Sequence, residues 1–454
     1  MKNFIKKILL KVGIKSDRTK NITKHVLLSA IYKGGSILSG FILVPLTINY
    51  LDTENYGVWL TLSSFIAWFA FFDVGIGNGL RNKFAEAKTK GDLTLARGYV
   101  SSAYYTIGAL SLGLIVLFSL FNFLIDWTKV FNTSPELQRN LGILMPIVFG
   151  FFCVQLVAKL ITTIYTADQN HSMQGKINFF IQVGSLFLVW IMTKTSESSL
   201  LIFGIIYSVF PVIVLIALNF LAFNKKYKDF KPTFSFWKKE YLNDIFGLGM
   251  KFFLIQIAAI ILFSTDNVII TQLFGPEEVV PYNLAFKYFN IVNMGLSLVL
   301  MPYWSSITEA YVNKDFAWIK NSMKNLIKIT LFSITTLFLL VVFSKIFYSL
   351  WIGNRVIIPF SLSVYMAIYF GVKIFYLPFT FFINGTGKVK LQMYAIISTS
   401  IINIPLSVLF AKTLGFGVSG VILATIICII PHALISPIQY SKIINKKAYG
   451  IWNK

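Results

Sequence analysis

Apolar runs of about 20 residues recur from one end of this 454-residue chain to the other, each long enough to cross roughly 30 Å of hydrocarbon. Inside a bilayer the backbone has no water to bond, so such runs must be helices that satisfy their own N–H and C=O groups. Spans are expected at about 26–48, 57–74, 98–123, 142–166, 178–193, 200–223, 248–274, 281–303, 326–350, 357–383, 391–411 and 418–440. That makes about 12 transmembrane helices in an all-α polytopic membrane protein. Hydrophobic residues supply 56% of the chain and charged residues 13%, which agrees.

Charge orients the chain. With the N-terminus in the cytoplasm, the inner segments collect 29 Lys/Arg and the outer loops 5, as the positive-inside rule requires. The net charge of +23 is therefore explained without nucleic acid. Six spans on either side of a basic stretch give two six-helix bundles in the same orientation, with both termini cytoplasmic. The expected domains are a basic interfacial segment 1–24, an N-terminal bundle 25–223, an amphipathic basic linker 224–247 read as an interfacial helix, a C-terminal bundle 248–440 and a cytoplasmic tail 441–454.

The halves also share a register. At an offset of 223, "YLDTENYGVWL" (50–60) falls on "LFGPEEVVPYNL" (273–284), pairing Glu54 with Glu277 and Trp59 with Tyr282. The same offset carries Glu86-Ala87 onto Glu309-Ala310, Asp92 onto Asp315 and Arg97 onto Lys320. Repeats of equal orientation place a substrate path at their interface.

Seven Lys/Arg fall within spans: Lys33, Lys159, Lys251, Lys287, Lys328, Lys345 and Lys373. Lys251, Lys328 and Lys345 lie near helix ends, where their stems snorkel to water. Lys33 and Lys159 lie about 10 Å from the cytoplasmic side at 1.5 Å per residue, and Lys287 and Lys373 are also deep. Intramembrane charges mark transport paths, so these four are candidate substrate-binding groups, with Asp266 the single mid-span acid and a candidate for ion coupling. Arg81, a further candidate for substrate binding, and Asp73, a further candidate for ion coupling, bracket "DVGIGNGLRNK" (73–83), whose three closely spaced glycines either loosen or cap the end of span two. "GGSILSG" (34–40) suits close helix packing. Pro146, Pro211, Pro378, Pro405 and Pro431 favour bends.

No catalytic constellation, phosphate loop or metal-ligand spacing is present in the sequence, so neither an enzyme nor a cofactor is expected; "NGTGK" (384–388) reads as an inner turn. Cys153 and Cys428 both fall in apolar runs.

The stretch 50–87 resembles the Wzx-type polysaccharide flippases of the multidrug/oligosaccharidyl-lipid/polysaccharide exporter superfamily, and "TDNVIITQLFGPEEVVPYNLAFKYF" (265–289) is similar to that family's seventh-to-eighth helix passage. The resemblance implies a MATE-like, V-shaped pair of bundles in the bacterial cytoplasmic (inner) membrane. It also implies transport of undecaprenyl-diphosphate-linked oligosaccharide for lipopolysaccharide O-antigen or other surface polysaccharide. Helices one, two, seven and eight commonly line such cavities, which favours Lys33, Asp266 and Lys287. Proton or sodium coupling, surrounding membrane lipids, and a polysaccharide polymerase and chain-length regulator complete the expected partners. A lysine-lined path suits a diphosphate, and a carboxylate near a lysine such as Lys287 can change its charge as a cavity opens and closes. A cation-coupled multidrug exporter of the same fold is the alternative, together with a non-transporting partner of a polysaccharide polymerase.

Overall fold

The structure is a computed structural model that describes residues 17–69, 76–168, 170, 172–246, 257–258, 262 and 264–453. The described residues are helical, with no strand among them. Ten helices among them are long and apolar enough to cross a membrane. This agrees with the spans expected from sequence once two facts are included. The first two expected spans form one continuous helical run, α1 (Asp17–Ala67), and about half of the expected span 248–274, mostly its first part, lies outside the described residues. Residues 1–16 of the basic N-terminal segment also lie outside them, whereas 17–24 already belong to α1.

α1 does not cross as a single rod. At Asp52 the backbone leaves helical geometry with φ 67° and ψ 179°, a conformation costly for any side chain with a Cβ, and this interrupts the run at the expected outer turn.

The chain divides into two compact units. The first contains residues 1–52, 69–128 and 134–253, and the second contains 53–68, 129–133 and 254–454. The break at Asp52 is thus also where the chain changes unit, and residues 53–68 group with the C-terminal helices instead of the N-terminal ones.

In the first unit, α2 (Ile76–Thr89) and α3 (Leu93–Asn122) precede α5 (Gln138–Ala158) and α6 (Leu160–Ala167), after which α7 (Ser172–Thr195) and α8 (Leu200–Asn224) follow; the short α4 (Trp127–Phe131) starts in this unit and ends in the second. One core cluster joins α2, α3, α6 and the end of α8 through Ile76, Leu80, Phe84, Val100, Ile164 and Phe223. At its polar edge Asp168 draws three segments together: it pairs with Lys88 from α2, with Lys226 at 2.6 Å, and accepts from the Tyr227 hydroxyl at 3.0 Å. Burial alone would push this carboxyl up, but the hydrogen bonds from Lys226, Lys88 and Tyr227 outweigh it and hold the carboxyl below its usual range. The linker is not the single interfacial helix expected. It runs through tight turns at Lys228–Phe230 and Phe234–Phe236 before the eight-residue α9 (Lys239–Phe246), because its polar backbone is taken up by α3. Of the "DVGIGNGLRNK" glycines, Gly79 is neither loop nor cap. It sits within α2, where a Cβ would meet the Ile245 carbonyl oxygen at 2.3 Å.

The second unit holds α10 (Asp266–Phe274), α11 (Val279–Val312), α12 (Phe316–Ile352), α13 (Phe360–Thr386), α14 (Lys390–Val408) and α15 (Val418–Ile444). The 53–67 part of α1 also belongs here. It docks backbone to backbone on the turn before α11, where a Cβ on Gly57 would come within 1.9 Å of the Pro276 carbonyl oxygen. Only glycine permits that approach.

The repeat recurs in three dimensions at the turn that closes each copy. Gly91 (φ 76°) and Lys314 (φ 58°) occupy equivalent positions, both left-handed. The N–H of the following aspartate reaches back to the helix, Asp92 to the Ala87 carbonyl at 3.0 Å and Asp315 to Ala310 at 2.8 Å. The left-handed residue bonds the Lys88 or Tyr311 carbonyl, each at 3.1 Å, which completes a Schellman closure. The same aspartate then caps the next helix, Asp92 accepting from the Leu95 N–H at 2.8 Å and Asp315 from the Trp318 N–H at 3.0 Å. Each side chain therefore ends one helix and starts another. Asp92→Ala and Asp315→Ala are expected to destabilise their units by about 1 kcal/mol each, read as a lowered thermal midpoint of the purified protein. An unchanged midpoint in both variants would show that the caps contribute nothing.

Candidate functional site

The chemistry of the second unit centres on Asp266, the first residue of α10. It is 6% exposed, and its Oδ2 accepts a short hydrogen bond from the Tyr282 hydroxyl of α11. The other carboxylate oxygen, Oδ1, is buried with no hydrogen-bond partner among the described residues. The Thr425 hydroxyl of α15 lies beside the carboxylate but donates to the Val421 carbonyl at 3.2 Å and accepts from Asn403 of α14 at 3.1 Å. The Asn403 Oδ1 is likewise buried without a donor among the described residues. Four helices thus bring a carboxylate, a phenol, a hydroxyl and an amide into one apolar interior.

One side of Asp266 opens on a cavity of about 260 Å³ lined by Leu60, Ser63, Ser64 and Ala67 of α1, Ser264 and Asn267, and Tyr282, Asn283 and Phe286 of α11. Its polar wall is a hydrogen-bonded row: the Asn283 amide donates to Asn267 Oδ1 at 2.8 Å, and the Asn267 amide donates to Ser64 Oγ at 2.8 Å. Trp68 Nε1 closes one end by donating to the Ser264 carbonyl at 3.2 Å. Below it the Thr61 and Thr271 hydroxyls meet at 2.6 Å. Helices in hydrocarbon have little to gain from apolar contact alone, so rows like this hold α1, α10 and α11 in register.

A second column of polar groups runs down α13. Lys373 Nζ donates to the Tyr369 hydroxyl at 3.1 Å, and Tyr369 in turn lies within electrostatic reach of Tyr282 and Asp266. One turn further, the Tyr376 ring stands 6.0 Å from that of His432, whose Nε2 is 3.4 Å from the Thr399 hydroxyl.

Of the residues singled out from sequence, the structure brings Lys373 and Asp266 into this one column. Lys287 lies half-buried on α11, and no ion pair joins it to Asp266; Tyr282 takes the place expected for the lysine, because its ring reaches α10 across the turn at Gly275. In the first unit Lys33 is half-buried on α1, while Arg81 on α2 and Lys159 at the break between α5 and α6 are exposed. Lys328 and Lys345 are exposed on α12. Asp73 and Lys251 lie outside the described residues. Gly35 of "GGSILSG" faces the Phe179 ring of α7, in keeping with close packing. Pro146, Pro211, Pro378, Pro405 and Pro431 all lie inside helices.

Sequence reasoning did not single out Asn267, Asn283, Asn403 and Thr425. Isolated amides and hydroxyls in apolar runs give no periodic signal. Tyr282 was visible only as the repeat counterpart of Trp59. Among the described residues no group of three or more His, Cys, Asp or Glu could hold a metal ion.

Comparison with known proteins bears on the whole chain. Residues 22–308 match the family described as polysaccharide biosynthesis protein, and residues 252–409 match the MatE family. A Salmonella typhi protein named as an O-antigen transporter is 23% identical over 422 residues, covering 90% of this chain and 94% of its own length. A Yersinia pseudotuberculosis protein named as an O-antigen export protein is 22% identical, covering 81% and 85%. Among solved structures, an inward-facing multidrug resistance MATE family transporter of the MOP superfamily superposes with a TM-score of 0.77 at 12% identity, covering 93% of this chain and 100% of that one. A MOP superfamily transporter from Pyrococcus furiosus, described by the reversed polarity of its binding pocket, gives 0.69 at 14% identity, covering 96% and 98%. The chain belongs to the polysaccharide biosynthesis protein family and is a multi-pass membrane transporter with the MATE fold.

Proposed function

We propose that this transporter moves undecaprenyl-diphosphate-linked oligosaccharide repeat units across the bacterial cytoplasmic membrane by alternating access, with both termini in the cytoplasm. Family membership and the names of the relatives support the polysaccharide class of cargo. The observation that carries the mechanism is the enclosed Asp266 carboxylate. Its Oδ1 and the Asn403 Oδ1 are buried acceptors without a hydrogen-bond partner among the described residues, and native interiors seldom tolerate such groups. A proton or a sodium ion supplies what both lack. We take Asp266 as the ion-coupling group, with Tyr282 holding one oxygen and leaving the other for the ion. A polymerase and a chain-length regulator would consume the product on the outer face.

A lipid diphosphate carries roughly two negative charges through a low-dielectric region, and cations fixed along the path compensate them. Lys33, Lys287 and Lys373 are the groups assigned to this task, with Arg81 and Lys159 at the entry side and Asp73 as a second acid. A drug exporter of the same fold would instead be expected to carry more acids than lysines within its spans, and this chain has the reverse.

Single-cysteine reporters at Thr53, Ser134, Ser196 and Lys412 are expected to label from outside the cell, and those at Thr89, Lys238, Asn313 and Lys447 only after permeabilisation; the opposite pattern would overturn the orientation. Asp266→Asn keeps an acceptor for Tyr282 but not a titratable group, so gradient-driven transport should fall while expression and melting are retained. Undiminished gradient dependence in that variant would leave Asp266 with a structural role only. Lys33→Arg should retain glycan display, whereas Lys33→Glu should abolish it at unchanged protein level. Loss of one charge-assisted contact to phosphate is worth about 1.5–3 kcal/mol, or roughly ten- to more than a hundredfold in affinity. Wild-type display from Lys33→Glu would remove Lys33 from the path.

A further inference from the structure

We infer that the segment between α8 and α9 is a docking surface for the headgroups of anionic phospholipids, built as a rigid aromatic wedge ringed by lysines. Rigidity comes from α3. The Thr233 N–H donates to the Ser101 hydroxyl at 3.2 Å, the Lys238 N–H to the Ser102 hydroxyl at 3.1 Å, and Trp237 Nε1 to the Thr106 hydroxyl at 3.0 Å. Arg97 donates from Nε to the Lys231 carbonyl at 3.1 Å, and its guanidinium stands 4.4 Å from the Phe236 ring. Arg97, Ser101, Ser102, Tyr105 and Thr106 lie on one face of α3. They run from about 6 to about 20 Å along the helix from its start at Leu93, at 1.5 Å per residue. The segment is therefore strapped along the first turns of a membrane-crossing helix.

Its outward face has two kinds of group. Phe234 is 70% exposed and Trp237 is 37% exposed; their rings are stacked within 9° of parallel, and Phe234 meets Tyr105 edge-on at 5.4 Å. Around them Lys225, Lys226, Lys228, Lys231, Lys238 and Lys239 are all exposed. Lys226 is held by Asp168, and Lys238 lies 5.4 Å from the Tyr241 ring. Lys225, Lys228, Lys231 and Lys239 have no carboxylate partner among the described residues, although Asp229, Glu240 and Asp244 are exposed in the same stretch, Asp244 accepting from the Tyr99 hydroxyl at 3.0 Å. Six lysines against three exposed acids leave a surplus of positive charge beside bare aromatic rings.

Topology selects the occupant. Membrane-crossing segments flank this stretch, α8 before it and the expected span 248–274 after it, so it is confined to the edge of the bilayer. There Trp and Phe sit at the level of the headgroups, and lysines meet a surface of lipid phosphates. The tether keeps the wedge at that surface without any free energy of recruitment, so its charge acts on which lipids gather around it.

The test uses full-length protein in detergent micelles, titrated with phosphatidylglycerol and separately with phosphatidylcholine, with bound lipid counted by native mass spectrometry. Wild type should retain phosphatidylglycerol preferentially. Replacing Lys225, Lys228, Lys231 and Lys239 together by Gln should cut that preference at least about tenfold, since each lysine near an anionic surface contributes several-fold. The matching set of Lys→Arg changes should preserve it, and both variants should melt as wild type does. Equal preference in wild type and the Gln variant, or an Arg variant as weak as the Gln variant, would overturn the proposal. None of these readouts depends on transport, so they stand or fall apart from the flippase reading.

Discussion

Hydrocarbon offers no partner to a backbone N–H or C=O, and each such group left open there costs several kcal/mol. Everything in this chain follows from meeting that demand inside the chain itself. Long helices meet it along their length, and the difficulty moves to their ends and interruptions. The two closures at Ala87–Asp92 and Ala310–Asp315 show how compactly this can be done: one aspartate bonds a carbonyl at the end of the helix before it through its N–H and an N–H at the start of the helix after it through its side chain. That both copies use the same bonds at the same register identifies a structural unit that tolerates Gly91 in one half and Lys314 in the other.

The same demand gives meaning to the exceptions. Polar side chains within apolar helices are costly unless matched, and here most of them are matched to each other: Asn283 to Asn267, Asn267 to Ser64, Thr61 to Thr271. These bonds tie α1, α10 and α11 together where lipid supplies no hydrophobic drive between helices. Against that background the open oxygens of Asp266 and Asn403 stand out. Asp266 keeps one oxygen bonded and one without a partner among the described residues, whereas Asp168 is fully paired with Lys88, Lys226 and Tyr227.

Length and hydropathy alone determined the all-helical, multi-pass character of the chain and the approximate place of most spans, because a bilayer accepts only helices of about this length from such sequences. The repeat too was legible, since Glu54, Asp92 and Arg97 each find a counterpart at one offset without a gap. Asp266 was legible as a lone acid in an apolar run. What tertiary structure alone decided was the company it keeps. Tyr282, Thr425 and Asn403 come from three different helices up to about 160 residues away, and no local pattern links them. It decided that Lys287, only 21 positions from Asp266, does not pair with it, whereas Lys373 joins its column through Tyr369. It decided that residues 53–68 belong with the C-terminal helices, through the bare backbone of Gly57 against Pro276. It also folded the basic linker onto α3, because Ser101, Ser102 and Thr106 offer hydroxyls to its backbone and side chains in a way an isolated amphipathic pattern cannot reveal. The physical reason is common to all four: periodicity records which face of a helix is apolar, while a hydrogen bond between helices depends on which faces meet.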